Sequence, residues 1–306
     1  MVFAKALAAA AFLGQTLALD AIHVKGSKFF YENGTQFYIK GVAYQQHTGA
    51  AGKGATDTKY ADPLADAVRC KQDVPLLQEL GTNVIRTYAI DPTADHTECM
   101  GLLEEAGIYV ISDLGEPGVS IETDNPSWDV TIFQRYKDVI DELSNFDNII
   151  GFFAGNEVST NKTNTKASAF VKAAVRDTKA YIKETKQRPM YVGYAANDDA
   201  DIRVEIAHYF NCGENQEEAI DFWGYNIYQW CGKSSFEQSG YSKQVDFFKD
   251  YSVPVFFAEY GCNTVGGAEG RLWDDTRSLY SSEMTGVFSG GIVYMFFEED
   301  NDYGRA

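Results

Sequence analysis

The stretch Ile149-Ile150-Gly151-Phe152-Phe153-Ala154-Gly155-Asn156-Glu157-Val158 is an unbroken apolar run that closes on an Asn-Glu pair. Continuous rather than alternating apolar residues are what a strand covered on both faces requires, and such strands belong to parallel sheets. The same plan returns in Val253–Gly261, which closes on Phe257-Ala258-Glu259-Tyr260-Gly261. Six further runs rich in Val, Ile, Phe and Tyr lie around these two: Phe37–Gln45, Asn83–Ile90, Tyr109–Leu114, Met190–Ala196, Asp221–Tyr228 and Gly290–Glu298.

Between the runs the apolar spacing becomes helical. Val130, Phe133, Tyr136, Ile140 and Leu143 form one such stripe, and Val171, Ala174, Thr178 and Tyr181 or Ile182 another. Gly81 and Gly107 fall where a helix should stop before the next strand. Ile22-His23-Val24 and Phe29-Phe30-Tyr31 flank Lys25-Gly26, and Asn33-Gly34 follows, so a small β-hairpin is expected ahead of the first long run. No Pro/Gly/Ser-rich linker divides the chain. Eight strand-helix units in one domain predict an α/β fold, a (β/α)8 barrel. An open doubly wound sheet is the alternative, and it lacks a GxGxxG after the first strand.

In such a barrel chemistry gathers at the C-terminal ends of the strands. Glu157 closes the fourth run and Glu259 the seventh, and these strands are expected to face each other across the barrel. A single buried glutamate is as readily the partner of an arginine, Arg86 or Arg203 here. Two at the same end of non-adjacent strands point to chemistry instead. A carboxyl pair about 5–5.5 Å apart is the arrangement for glycoside hydrolysis with retention. One carboxyl acts as an ionised nucleophile, and the other, its pKa raised, as general acid. Asn156 beside Glu157 is placed for the sugar 2-hydroxyl.

Composition narrows the setting. The chain has 306 residues, with 26 Lys+Arg against 44 Asp+Glu and a net charge of −18. That surface repels phosphate backbones and argues against a nucleic-acid partner. Residues 1–18 read as a secretory leader. Lys5 is the positive flank, Ala6 to Leu13 the apolar run, and Thr16-Leu17-Ala18 the cleavage site. The domain is then 19–306. In an oxidising compartment the five cysteines, Cys70, Cys99, Cys212, Cys231 and Cys262, should pair, with one left over. No CxxC occurs and the four histidines are scattered, so no metal is expected, and a reaction run by two carboxyls needs no cofactor. Asn33-Gly34-Thr35 and Asn161-Lys162-Thr163 are glycosylation sequons.

Six motifs resemble glycoside hydrolase family 72, the β-1,3-glucanosyltransferases of fungal cell walls. They are Gly41-Val42-Ala43-Tyr44-Gln45, Arg86-Thr87-Tyr88-Ala89-Ile90-Asp91, Gly155-Asn156-Glu157-Val158, Gly224-Tyr225-Asn226-Ile227-Tyr228-Gln229-Trp230-Cys231-Gly232, Glu259-Tyr260-Gly261-Cys262-Asn263 and Val293-Tyr294-Met295-Phe296-Phe297-Glu298-Glu299. The resemblance runs from Ile22 to Tyr303. It implies that Glu157 is the proton donor and Glu259 the nucleophile. It places Tyr88, Asn156, Asp198, Arg203 and Tyr294 among sugar-binding residues, with Gln45, Asp113 and Tyr228 as further cleft residues. It also implies disulfides Cys70–Cys99 and Cys231–Cys262, and for Cys212 a partner further along that this chain does not have.

The implied reaction cleaves an internal β-1,3-glucan bond and transfers the new reducing end to a second glucan. The partners it implies are a donor and an acceptor β-1,3-glucan. An endo-β-1,3-glucanase, in which water replaces the acceptor, uses the same carboxylates, and a non-catalytic glucan-binding wall protein would need neither. The implied location is outside the cell, at the surface and wall, with a C-terminal glycolipid anchor to the plasma membrane in the full-length protein; no anchoring signal occurs in this chain. The sequence stops a few residues after the eighth run, before an eighth helix, so it is expected to be a fragment.

Overall fold

All eight apolar runs become strands of one closed barrel in the computed structural model, which describes residues 19–46 and 60–304. The expected leader, 1–18, lies outside the described residues. The barrel strands are β4 (Ile39–Ala43), β5 (Val84–Thr87), β6 (Tyr109–Asp113), β7 (Ile149–Asn156), β8 (Tyr191–Ala196), β9 (Phe222–Ile227), β10 (Val255–Tyr260) and β11 (Phe288–Val293). Each pairs in parallel with its neighbour in sequence, and β11 closes the ring on β4. Strands β7 and β10, which carry the two glutamates, are separated by β8 and β9. They stand three steps apart around the ring, so they are not diametrically opposed as expected from the sequence. The last strand also ends earlier than its apolar run: the chain leaves the barrel after Val293.

Helices α1 (Ala67–Glu79), α2 (Thr97–Glu105), α3 (Val130–Leu143), α4 (Ala167–Thr185), α5 (Arg203–Asn211), α6 (Tyr241–Phe248) and α7 (Asp274–Leu279) fill the connections. Gly81 and Gly107 follow the ends of α1 and α2 with φ of 73° and 76°, the left-handed turn that stops a helix. Asp129 caps α3, accepting from the N–H groups of Thr131 at 2.9 Å and Ile132 at 3.2 Å. The buried stripe of α3 is Ile132, Tyr136, Val139, Ile140 and Leu143, whereas Val130 is 85% exposed. The expected stripe thus started on a residue of the first turn that faces solvent. In α4 the buried face includes Val171, Ala174, Thr178 and Ile182, as the spacing predicts.

The expected hairpin is part of a three-stranded antiparallel sheet, β1 (His23–Lys25), β2 (Lys28–Phe30) and β3 (Gln36–Phe37). This sheet lies against the strand starts, away from the glutamates. Phe29 is fully buried, its ring 6.3 Å from Phe222 and 6.0 Å from Phe256. Phe37 packs edge-on against Tyr109 at 5.5 Å, and the Val24 N–H donates to the Tyr191 hydroxyl at 3.0 Å. Phe222 and Phe256 in turn touch Phe153 inside the barrel, at 5.2 and 6.1 Å. Room for Phe153 comes from Gly224, where a Cβ would stand 2.6 Å from the Phe153 ring. An apolar column therefore fills the barrel from its base to the level of the site.

Two disulfides stiffen the shell. Cys70–Cys99 ties α1 to α2, with a Cα–Cα distance of 5.5 Å, and Cys231–Cys262 ties the segments that follow β9 and β10, at 5.1 Å. Both match the pairing that the resemblance implied. Cys212 is exposed and outside any disulfide.

Because Phe29 stops the base of the column, Phe29→Ala should lower unfolding free energy by about 3–5 kcal/mol. Urea unfolding would show the loss as a lower midpoint. The ionisation of Glu259 at the far end should stay unchanged.

Candidate active site

Glu259 lies near the end of β10 with 8% of its surface exposed. Three donors reach its carboxyl. Arg86 Nη1 and the Tyr88 hydroxyl donate to Oε1 at 3.2 and 3.0 Å, and the Tyr228 hydroxyl donates to Oε2 at 2.9 Å. Burial raises the Glu259 carboxyl to about 7 against the pull of Arg86, while nearby Glu157 adds to the rise and the two hydroxyls oppose it. Burial also holds the Tyr88 and Tyr228 phenols well above their ordinary range, so both keep their protons and remain donors.

Arg86, on β5, is fully buried. Its Nε and Nη2 each donate at 3.0 Å to Asp113 on β6, a two-pronged bond that fixes the guanidinium plane. The rings of Tyr88 and Phe153 lie 4.3 Å from its Cζ. The bland reading of a glutamate paired with Arg86 is therefore correct for Glu259, and the pair is built into the candidate site. Burial raises Asp113, and Arg86 opposes that rise. Asp113 positions Arg86.

Glu157 follows β7 directly, with φ of 49°, a left-handed conformation unusual for a residue with a side chain. Its N–H donates to Ala195 O at 2.8 Å, which pins the turn to β8. Its Oε1 accepts from Asn226 Nδ2 at 2.9 Å, and the same nitrogen donates to Asn156 Oδ1 at 3.0 Å. Asn226, on β9, is the register partner of Glu259. The four residues Asn156, Glu157, Asn226 and Glu259 thus form one linked group across β7, β9 and β10.

The other expected residues fall around this group. Gln45 is 1% exposed and its amide is taken up by the backbone: Oε1 accepts from the N–H groups of Tyr88 at 2.9 Å and Ala89 at 3.0 Å, and Nε2 donates to Ala61 O at 2.5 Å. It sets Tyr88 in place. Tyr294 packs edge-on against Tyr88 at 6.2 Å and Tyr228 at 6.5 Å. Asp198, just after β8, accepts from Arg203 Nη2 at 2.9 Å, from the Tyr225 hydroxyl and from Gln229 Nε2. The ion pair of Asp198 with Arg203, the bland reading of those two, is present. Both sequons, Asn33 and Asn161, lie in exposed turns.

Two residues of the site escaped the sequence reading. Tyr303 packs against Tyr294 at 5.2 Å and Tyr228 at 5.6 Å, which completes a wall of four tyrosines with Tyr88. It lies past the last strand, where no periodicity marks it. Asn226 did carry a signal: it is the one amide in the apolar strand Phe222–Ile227.

Known proteins resemble this chain along most of its length. The profile of glycoside hydrolase family 72, described as glucanosyltransferase, matches residues 12–306. A 1,3-beta-glucanosyltransferase of Arthroderma benhamiae is 60% identical over 280 residues, which is 91% of this chain and 51% of the relative. The 1,3-beta-glucanosyltransferase GAS2 of Saccharomyces cerevisiae is 50% identical over 289 residues, 93% of this chain and 51% of the relative. Among solved structures, a glutamate-to-glutamine variant of Saccharomyces cerevisiae Gas2p in complex with laminaritetraose and laminaripentaose has a TM-score of 0.86 and 49% identity, covering 94% of this chain and 62% of that one. The chain spans about half the length of the curated relatives it matches.

Arg86→Met tests the centre of the site. It leaves Asp113 and Glu259 buried without their cation, a loss of about 3–5 kcal/mol near neutral pH. Both carboxyls then hold protons more tightly folded than unfolded, so the folded state binds more protons and stability rises as pH falls. Urea midpoints should show part of the loss recovered between pH about 7 and the ordinary carboxylate range near about 4.

Proposed function

Because the chain belongs to glycoside hydrolase family 72, the glucanosyltransferases, we propose that it is a retaining β-1,3-glucanosyltransferase acting through Glu259 and Glu157. The observation that carries this reading is the carboxyl pair at the strand ends, Glu259 held by three donors and Glu157 by the Asn226 amide. A scaffold protein that only binds glucan has no use for such a pair.

In the first step a Glu259 oxygen attacks the anomeric carbon of an internal glucose unit, and that carbon's bond to the leaving oxygen breaks. Glu157 gives its proton to the leaving oxygen. Arg86, Tyr88 and Tyr228 hold the attacking carboxylate in a fixed plane before reaction. The product is a covalent glycosyl ester on Glu259, and the fragment that carried the old reducing end departs. In the second step Glu157, now a base, takes the proton of an acceptor 3-hydroxyl, whose oxygen displaces Glu259 from the anomeric carbon. Configuration is retained after two inversions, and the acceptor glucan is longer.

Asn156 binds the 2-hydroxyl of the reacting unit. Tyr88, Tyr228 and Tyr294 offer flat faces and polar tips to the sugar rings. Asp198 and Arg203 bind hydroxyls further along the cleft. The proposed setting is the cell surface and wall, reached after removal of residues 1–18, with glycans on Asn33 and Asn161 and attachment through a glycolipid anchor in the full-length protein.

Purified protein incubated with laminaripentaose should give products longer than the donor. Only shorter products would assign a hydrolase instead. Glu157→Gln should lower turnover about a hundredfold to ten-thousandfold, and Glu259→Gln should remove it, both with an unchanged circular dichroism spectrum. Wild-type turnover in either variant would overturn the assignment.

A further inference from the structure

Glu157 does not hold its own place. Its φ of 49° is strained for a glutamate and needs support from its surroundings. One support is the backbone bond to Ala195, and another comes from β9. Asn226 is 2% exposed, and its Nδ2 donates to Asn156 Oδ1 and Glu157 Oε1 together. Turned the other way, this amide would set an oxygen against a carboxylate and a carbonyl oxygen, so the nitrogen must face them.

That single orientation has a consequence for Asn156. With its Oδ1 turned to Asn226, Asn156 points its NH2 group the other way, as the donor it can offer a ligand. From that side it donates to a sugar oxygen. Asn226 Oδ1 is meanwhile buried with no hydrogen-bond donor in reach among the described residues. An orphaned buried acceptor destabilises the fold. A residue chosen for stability alone would not keep this amide near the end of an apolar strand.

We propose that Asn226 is a positioning residue for the reaction. It fixes the Asn156 amide with its donor side toward the 2-hydroxyl, and it holds the Glu157 carboxyl at the angle from which the proton passes to the leaving oxygen. The proposal rests on the glucanosyltransferase reading above and adds to it the origin of the Asn156 and Glu157 geometry.

Asn226→Asp keeps the shape of the side chain and removes its NH2 donor; Asn226→Ala removes both oxygen and donor. On laminaripentaose both should lower kcat about tenfold to a hundredfold, with KM for the donor little changed. A donor lacking the 2-hydroxyl on the cleaved unit should be penalised strongly in the wild type and much less in either variant, because Asn156 is no longer aimed. Unfolding midpoints establish that the variants fold, and Asn226→Ser serves where one does not. A packing role predicts that Asn226→Asp behaves like the wild type. Wild-type kcat in the folded variants, or an undiminished 2-hydroxyl penalty, would overturn the proposal. Failure of the underlying reading is separate: it shows as turnover in Glu157→Gln or Glu259→Gln, whatever the Asn226 variants do.

Discussion

The upper half of the barrel depends on one buried guanidinium. Arg86 is closed off from solvent, clamped between the rings of Tyr88 and Phe153, and shared by two carboxyls. An isolated ion could not be kept there, since taking a charge out of water costs several kcal/mol even after relaxation. The two carboxyls do not share it equally. Asp113 takes two bonds at 3.0 Å, while Glu259 takes one at 3.2 Å. One positive charge thus faces two negative ones, and the excess falls on the carboxyl with the weaker hold. Burial, with that imbalance, raises Glu259 to about 7, and burial raises Asp113 too, against its two bonds from Arg86.

The barrel architecture was legible because burial on both faces leaves a plain mark, a run of apolar residues with no alternation. All eight runs survived as strands for that reason. What periodicity could not mark were the ends. Val130 is apolar and correctly spaced, yet it sits in the first turn of α3, where the helix has not reached the barrel wall. The run from Gly290 to Glu298 is apolar as far as Phe297, but its second half has left the strand and packs Phe296 and Phe297 against Tyr44. Apolar content records burial and is silent on which element does the burying.

The site was legible in a different way. Glu157 and Glu259 stand out because a carboxylate ending an apolar strand has an evident cost. Gln45 and Asp113 were found, but their position behind the site was not, since a motif shows which residues belong together and not which of them meets the ligand. Each lies one bond further back, Gln45 behind Tyr88 and Asp113 behind Arg86. Asn226 shows the opposite limit. Its chemistry is visible in the strand, but its role follows only from two distances on one nitrogen.

Glu259, the proposed nucleophile, is a raised carboxyl, whereas a retaining pair needs its nucleophile ionised. Under the proposed reaction the ligand supplies the difference. As the leaving oxygen departs, positive charge grows on the anomeric carbon, and an adjacent cation favours the ionised form of Glu259. The bonds from Arg86, Tyr88 and Tyr228 need no rearrangement as this happens, because all three already point at the Glu259 oxygens. A nucleophile held less tightly than Asp113 keeps its reactivity, and a single cation too few leaves the site complementary to the charge that appears only as the glycosidic bond breaks.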